Sequence, residues 1–159
     1  MKHYRLVRQL DETDCGAACI STIAKYYGKR ISISKIRTLA GTDTKGTSGK
    51  GIVKCATSIG FSCKALLSKQ KILKQDLPFP IIVHLNKDDL DHYVVVYEVR
   101  KNKILIADPA DSIHWVKAED FYKWWSGVFF FISPNQNFEK TNDDKSFFQR
   151  FWYLLRNDR

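Results

Sequence analysis

The sequence reads as an α+β domain, and three observations carry that reading. Helical periodicity fills the first third of the chain, β-branched runs of strand length fill most of the rest, and short Asp/Asn or Pro turns join those runs. Helices followed by an antiparallel sheet are the signature of α+β rather than of a parallel α/β fold. At 159 residues the chain supports one domain with a substantial core and is short for two. Its 44% hydrophobic and 13% aromatic content excludes disorder for the body of the chain.

The first helix is expected over residues 14–27. Ile20, Ile23, Ala24 and Tyr27 recur at i, i+3, i+4 and i+7, and Gly28 follows as a C-terminal stop. Thr13 or Asp14 can serve as its N-cap, which puts Cys15 in the first turn. Ser32 or Ser34 opens a short second helix ending at Gly41, and residues 42–51 (TDTKGTSGKG) read as a flexible loop. A third helix is expected from Ile52 to Ile59, stopped by Gly60. The period then changes to that of strands: Ser62–Leu67, the buried run Ile81–Leu85, and His92–Val99 after a turn over 86–89. Ile104–Ala107 follows a tight turn and ends at Asp108-Pro109. Ala118–Trp125 reads as a short helix and Val128–Ile132 as a last buried strand.

Residues 1–135 form the expected globular domain, and 136–159 a polar linker with an amphipathic end. The terminal FFQRFWYLL, residues 147–155, has two readings: a helix docked on the core, or an interfacial segment leading toward a membrane domain. No apolar run reaches the ~18 residues of a membrane span, and the N-terminus lacks an apolar signal core. Four cysteines without a CxxC pair make a poor zinc or disulfide framework, so they are expected reduced and the chain cytosolic. The net charge of +9 admits nucleic acid, anionic membrane or acidic peptide as partners. Lys and Arg are nevertheless spread along the whole chain, which favours a solvated basic surface.

Cys15 is the candidate nucleophile, because unpaired N–H groups and the dipole at a helix start favour a thiolate. Gly16 beside it is expected to let a substrate backbone approach. Cys19 lies one turn further into the helix, and Cys55 and Cys63 read as small core residues. Gln9, six residues before Cys15, can offer its amide alongside the Cys15 N–H as an oxyanion hole. Among the histidines, His3 is terminal, His84 lies within a buried run and His114 in an apolar-polar alternation. His92, expected to open a strand beside a turn, is the candidate base. Asp108, ending the next strand of that hairpin, is the candidate to orient it. The bland alternatives are an exposed glutamine for Gln9 and a turn residue before proline for Asp108. Register sharpens the reading. A two-residue turn at Lys101-Asn102 would set Asp108 opposite Val95, on the face away from His92, whereas one bulge or odd loop sets it opposite Val94. A triad therefore requires such an irregularity, expected between residues 99 and 104.

The string QLDETDCGAAC at Gln9–Cys19 resembles the N-terminal cysteine peptidase domain of bacteriocin-processing ABC transporters. The later strings Asp91-His92-Tyr93-Val94-Val95-Val96 and Ile106-Ala107-Asp108-Pro109 resemble the family's histidine and aspartate motifs. The resemblance implies a papain-like fold and a peptidase that removes leader peptides after a double glycine, coupled to export. It implies the roles of nucleophile for Cys15, base for His92, orienting group for Asp108 and oxyanion donor for Gln9. It implies no cofactor for this domain, with ATP used only by a nucleotide-binding domain, since no GxxxxGK[ST] occurs here. The implied partners are a leader peptide and the transmembrane and nucleotide-binding domains of a parent transporter, at the cytoplasmic face of the bacterial membrane. An amphipathic leader helix would dock on an apolar groove whose residues the sequence does not name. The chain is then an excised or stand-alone peptidase domain, with the terminal segment leading toward a missing span. The competing readings are a non-cleaving domain that tethers a transport substrate, a basic nucleic-acid-binding module for which no motif is present, and acyl transfer on the same Cys-His-Asp set.

Overall fold

The computed structural model describes residues 3–139. A 3-10 turn at Glu12–Asp14 leads directly into α1 (Cys15–Tyr26), followed by α2 (Ile33–Ala40) and α3 (Gly49–Ser58). The sheet comprises β1 (Phe61–Leu67), β2 (Ile81–Lys87), β3 (Leu90–Val99), β4 (Lys103–Ala107), β5 (Ile113–Lys117) and β6 (Trp125–Pro134). The helix α4 (Ala118–Trp124) precedes β6. The six strands run in the order β1-β6-β2-β3-β4-β5, every neighbouring pair antiparallel. The expected α+β class is observed.

Alternation along the strands separates two cores. Ile82, Val95, Tyr97, Leu105, Ala107, Phe130 and Ile132 face α1–α3, whereas Ile81, Val83, Val94, Val96, Ile104 and Ile106 face α4 with Phe121 and Trp125. The helix α1 is the centre of the first core, buried without interruption from Cys15 to Ala24.

Several element bounds differ from expectation for local reasons. The third helix starts at Gly49 rather than Ile52, because the Ser48 side chain caps it by accepting the Gly51 N–H at 3.0 Å. Glycine is needed inside that helix: a Cβ on Gly51 would run into the Ala40 carbonyl at the end of α2. The β2–β3 connection is a two-residue turn at Asp88-Asp89, both at positive φ (52° and 61°), not a four-residue turn. The strand therefore begins at Leu90, and His92 lies inside it, paired with Leu85, instead of opening it. The edge strand β5, unforeseen, pairs with β4 in the register Leu105↔Trp115.

The β3–β4 hairpin closes with the regular two-residue turn at Lys101-Asn102, Arg100 N–H donating to Lys103 C=O at 2.9 Å. No odd loop lies between residues 99 and 104. The irregularity is a bulge further into the strand, between Val96 and Glu98, where the register steps from Glu98↔Leu105 to Val96↔Ile106. Past the last strand, Asn135 N–H bonds Gly60 C=O at 3.0 Å, and Phe138 stacks 5.0 Å from Phe61. The expected amphipathic segment at 147–155 lies outside the described residues.

Gly51→Ala is expected to destabilise the fold by about 1–3 kcal/mol through forced separation of α2 and α3. Urea denaturation of the two proteins measures the difference.

Candidate active site

Cys15 is the first residue of α1 and only 7% exposed. The turn before it is built by side chains. Asp11 caps the 3-10 turn by accepting from Thr13 N–H at 2.8 Å, and Asp14 reaches back to accept from Asp11 N–H at 3.1 Å. Cys15 thus enters the helix from a turn closed by side chains: Asp14, one of the two N-cap candidates, does precede α1, but its carboxylate closes the 3-10 turn and does not cap the helix itself.

His92, near the start of β3, and Asp108, just past the end of β4, meet at the same end of the sheet. His92 Nε2 lies 2.7 Å from Asp108 Oδ1, which also accepts from Ala110 N–H at 2.9 Å. The Asp108 backbone is itself held, its N–H donating to Ser112 C=O at 3.0 Å and its C=O accepting from Asp111 N–H at 3.0 Å. The bulge at Tyr97 brings about this meeting: continuing the pair Val95↔Ala107 by one step sets Asp108 against Val94, on the side of the strand that carries His92.

With Nε2 engaged by Asp108, the His92 ring keeps Nδ1 for the Cys15 thiol. Burial, the largest single influence, pushes the His92 pKa down. Hydrogen bonds to Asp108 and Cys15, together with electrostatic attraction to both groups, outweigh it and raise the pKa to about 9. Burial likewise opposes the Asp108 carboxylate, yet the hydrogen bonds from His92 and Ala110 hold its pKa below the usual value. At neutral pH the arrangement is therefore an imidazolium between a carboxylate and a sulfur nucleophile.

Gln9 comes alongside through the backbone, its N–H donating to Pro109 C=O at 2.9 Å, immediately after Asp108. Among the described residues its buried side-chain Oε1 has no hydrogen-bond partner. Gln9, Thr44, Lys45, Leu90, His92 and Asp108 help to line an open cleft of about 610 Å³; the orphaned Oε1 is the acceptor end of the Gln9 amide, whereas an oxyanion would need its Nε2 donor end. The structure therefore brings His92, Asp108 and Gln9 to one cleft, with Cys15 in hydrogen-bonding contact with His92.

Gly16 has a different role from the one expected. It is buried, and a Cβ there would meet Thr47 Cβ at 2.9 Å and the Tyr93 ring at 3.4 Å. Loop 42–48 lies on top of Gly16, so the glycine admits a packed loop, not a substrate backbone. That loop is held by a Thr42–Thr47 hydroxyl contact of 2.6 Å and an Asp43↔Gly46 bridge.

The other candidates of the same types are engaged elsewhere. His84 Nδ1 lies 2.9 Å from Ser126 Oγ and its Nε2 3.0 Å from Asp91, and His114 lies 3.0 Å from Ser112 C=O. Burial pushes the Cys19 thiol well up, Cys55 to about 12 and Cys63 to about 11. Sequence reasoning missed Thr47 and Arg37. Arg37 reaches from α2 to Asp14, 23 positions earlier, at 2.6 Å; no local motif announces a pair so far apart in the chain.

A model of the Peptidase C39 family matches residues 3–137. The chain is 37% identical over 153 residues to the lactococcin-G-processing and transport ATP-binding protein LagD of Lactococcus lactis subsp. lactis, covering 95% of this chain and 22% of that protein. It is 38% identical over 143 residues to the mesentericin-Y105 transport/processing protein MesD of Leuconostoc mesenteroides, covering 87% of this chain and 20% of that one. It thus spans about a fifth of the length of these curated relatives. Among solved structures, the peptidase domain of Streptococcus ComA matches with a TM-score of 0.78 and 36% identity, covering 84% of this chain and 100% of that domain. A double-glycine-motif protease from an AMS/PCAT transporter, solved with its leader peptide, matches at 0.77 and 25% identity, covering 84% of this chain and 94% of that one. These matches carry the papain-like fold.

With three thiols held protonated by burial, iodoacetamide at neutral pH is expected to label Cys15 first. His92→Ala, which removes the cation beside it, should slow that labelling at least about tenfold. Peptide mapping by mass spectrometry reads both, and preferential labelling of Cys63 would contradict the expectation.

Proposed function

The chain belongs to the peptidase C39 family, and from that premise we propose that it removes double-glycine leaders from the precursors of exported peptides, as the peptidase domain of an ABC transporter. The observation that carries this reading is the His92 imidazole, held by Asp108 at 2.7 Å and in hydrogen-bonding contact with Cys15. A cysteine, a histidine raised toward imidazolium and a carboxylate that orients it form a nucleophile–base unit that a docking module does not need.

In this mechanism the Cys15 thiolate attacks the carbonyl carbon of the second glycine. Oxyanion charge develops toward the Gln9 amide and the Cys15 N–H. His92 gives its proton to the departing amine as the C–N bond breaks, leaving a thioester. His92, now neutral, takes a proton from water as the water attacks the thioester, which frees the leader carboxylate and restores Cys15. No cofactor enters these steps, and ATP would serve only the transporter's nucleotide-binding domain. The partners proposed are the leader peptide and the transmembrane and nucleotide-binding domains of the parent transporter, with this domain on the cytoplasmic face of the membrane. No helix among the described residues is long and apolar enough to cross a membrane.

Synthetic precursors with a double-glycine leader, followed by mass spectrometry, test the reading directly: cleavage is expected after the second glycine, and peptide that binds but stays intact would point to tethering instead. Cys15→Ala is expected to lower turnover by at least about 10³-fold while leader affinity stays within about twofold of the parent chain.

The pH dependence follows from His92. Its folded pKa is raised to about 9, so the imidazolium that protonates the leaving amine is present below that pH and lost above it. The profile of kcat/KM should fall on the alkaline side near pH 9, and Asp108→Asn, which removes a raising hydrogen bond and charge, should move that limb toward neutral. An unmoved limb would assign it to another group.

A further inference from the structure

Asp14, immediately before Cys15, is the one charged residue buried among those described, with 0% exposure. Both of its oxygens are used. Oδ2 accepts from Asp11 N–H at 3.1 Å, closing the turn that leads into α1, and Oδ1 lies 2.6 Å from Arg37 Nη1. Arg37 Nη1 also approaches Asp11 Oδ2 at 3.4 Å, so one guanidinium ties together both carboxylates of the turn. Burying a carboxylate is costly unless it is paired, and removal of one partner leaves an uncompensated charge in a weakly screened site. Here that charge would lie one residue from the thiol, where a like charge disfavours the thiolate. Arginine suits the task because it stays charged at any working pH and its long side chain lets one nitrogen reach both carboxylates from a neighbouring helix.

We propose that Arg37 is a positioning residue for Cys15: through its ion pair with Asp14 it fixes the turn that delivers the thiol and cancels the charge that would otherwise oppose its ionisation. The proposal rests on Cys15 being the nucleophile. It extends the catalytic machinery to α2, which contributes nothing else to the site.

The test reads thiol reactivity instead of peptide cleavage, so it is independent of the leader. In the 159-residue chain, the rate of Cys15 labelling by iodoacetamide is measured against pH, with folding monitored by circular dichroism. Arg37→Met should slow labelling at neutral pH about tenfold and move the midpoint of its pH profile about one unit alkaline. Arg37→Lys, which keeps the charge, should stay within about threefold of the parent chain. Asp14→Asn combined with Arg37→Met removes both charges and should return the rate most of the way, a recovery that a purely structural role for Arg37 would not produce. A parent-like rate and profile in Arg37→Met, or a double variant as slow as Arg37→Met, overturns the proposal. Should Arg37→Met fail to fold, the double variant decides: a near-parent rate supports the proposal and a tenfold loss overturns it. If Cys15 in the parent chain reacts no faster than the other cysteines, the nucleophile assignment itself fails.

Discussion

Antiparallel strands allow a residue only two faces, and the β3–β4 ladder must satisfy both cores and the site at once. Val99 and Ile104 belong to the α4 side, Val95 and Ala107 to the helix side, and each pair is directly opposed. A regular ladder from the Lys101-Asn102 turn would keep the first pairing and break the second, because a one-residue slip exchanges the faces. The extra residue at Tyr97 satisfies both. It also sets the step that takes Asp108 past Val94 toward His92. The bulged residue does a second job: Tyr97 Oη donates to Arg5 C=O at 2.7 Å and accepts from Arg5 N–H at 3.1 Å. The N-terminal segment held there runs on to Gln9, which pairs with Pro109 beside Asp108. One irregular residue thus fixes the register of two site residues and the path of a third.

The site's electrostatics depend on that register. Burial alone would leave His92 neutral, and it is the Asp108 contact at 2.7 Å, together with Cys15, that reverses the sign. A register slip would cost both the orientation of the ring and its charge, since the carboxylate supplies both. Asp108 can act this way because its own carboxylate is anchored by Ala110 N–H and its backbone by the turn to Ser112.

Much of this was legible in the sequence, and the illegible parts share a cause. Cys15 at a helix start, His92 and Asp108 on successive strands and the need for a register irregularity all follow from local pattern and side-chain period. The position of that irregularity did not, because Val94 to Val99 is a nearly unbroken apolar run and alternation within it is mute. Gly49 and Gly51 read as loop because isolated glycines weaken a helix, yet contact with Ala40 overrides that preference. Asn86-Lys87 read as turn because four polar residues stand together; only the positive φ of Asp88 and Asp89 shows where the chain reverses. The edge strand β5 does show apolar-polar alternation around His114, but over only five residues, too short a stretch for the pattern alone to separate strand from loop. The Gly16–Thr47 and Asp14–Arg37 contacts are tertiary, joining segments whose sequences hold no reference to one another.

The same limit explains why α1 is more constrained than its periodicity implies. Ile20, Ile23, Ala24 and Tyr27 mark one apolar stripe, as an amphipathic surface helix would. In the fold the rest of its circumference is buried too, and the small residues Ala18, Ser21 and Thr22 line it. Small side chains let backbone approach from several directions: Thr22 Oγ1 accepts from Val7 N–H at 2.9 Å, and Ser21 Oγ donates to Ile31 C=O at 2.8 Å. Each polar group among them is satisfied, so burial costs little. A helix enclosed on all sides cannot roll or slide without disturbing both the sheet and the N-terminal segment. Because its first residue is Cys15, the same packing that stabilises the helix-side core also fixes the sulfur relative to His92 on β3 and to the Gln9 segment. Here the core and the site are one constraint, and substitutions deep in α1 act on both.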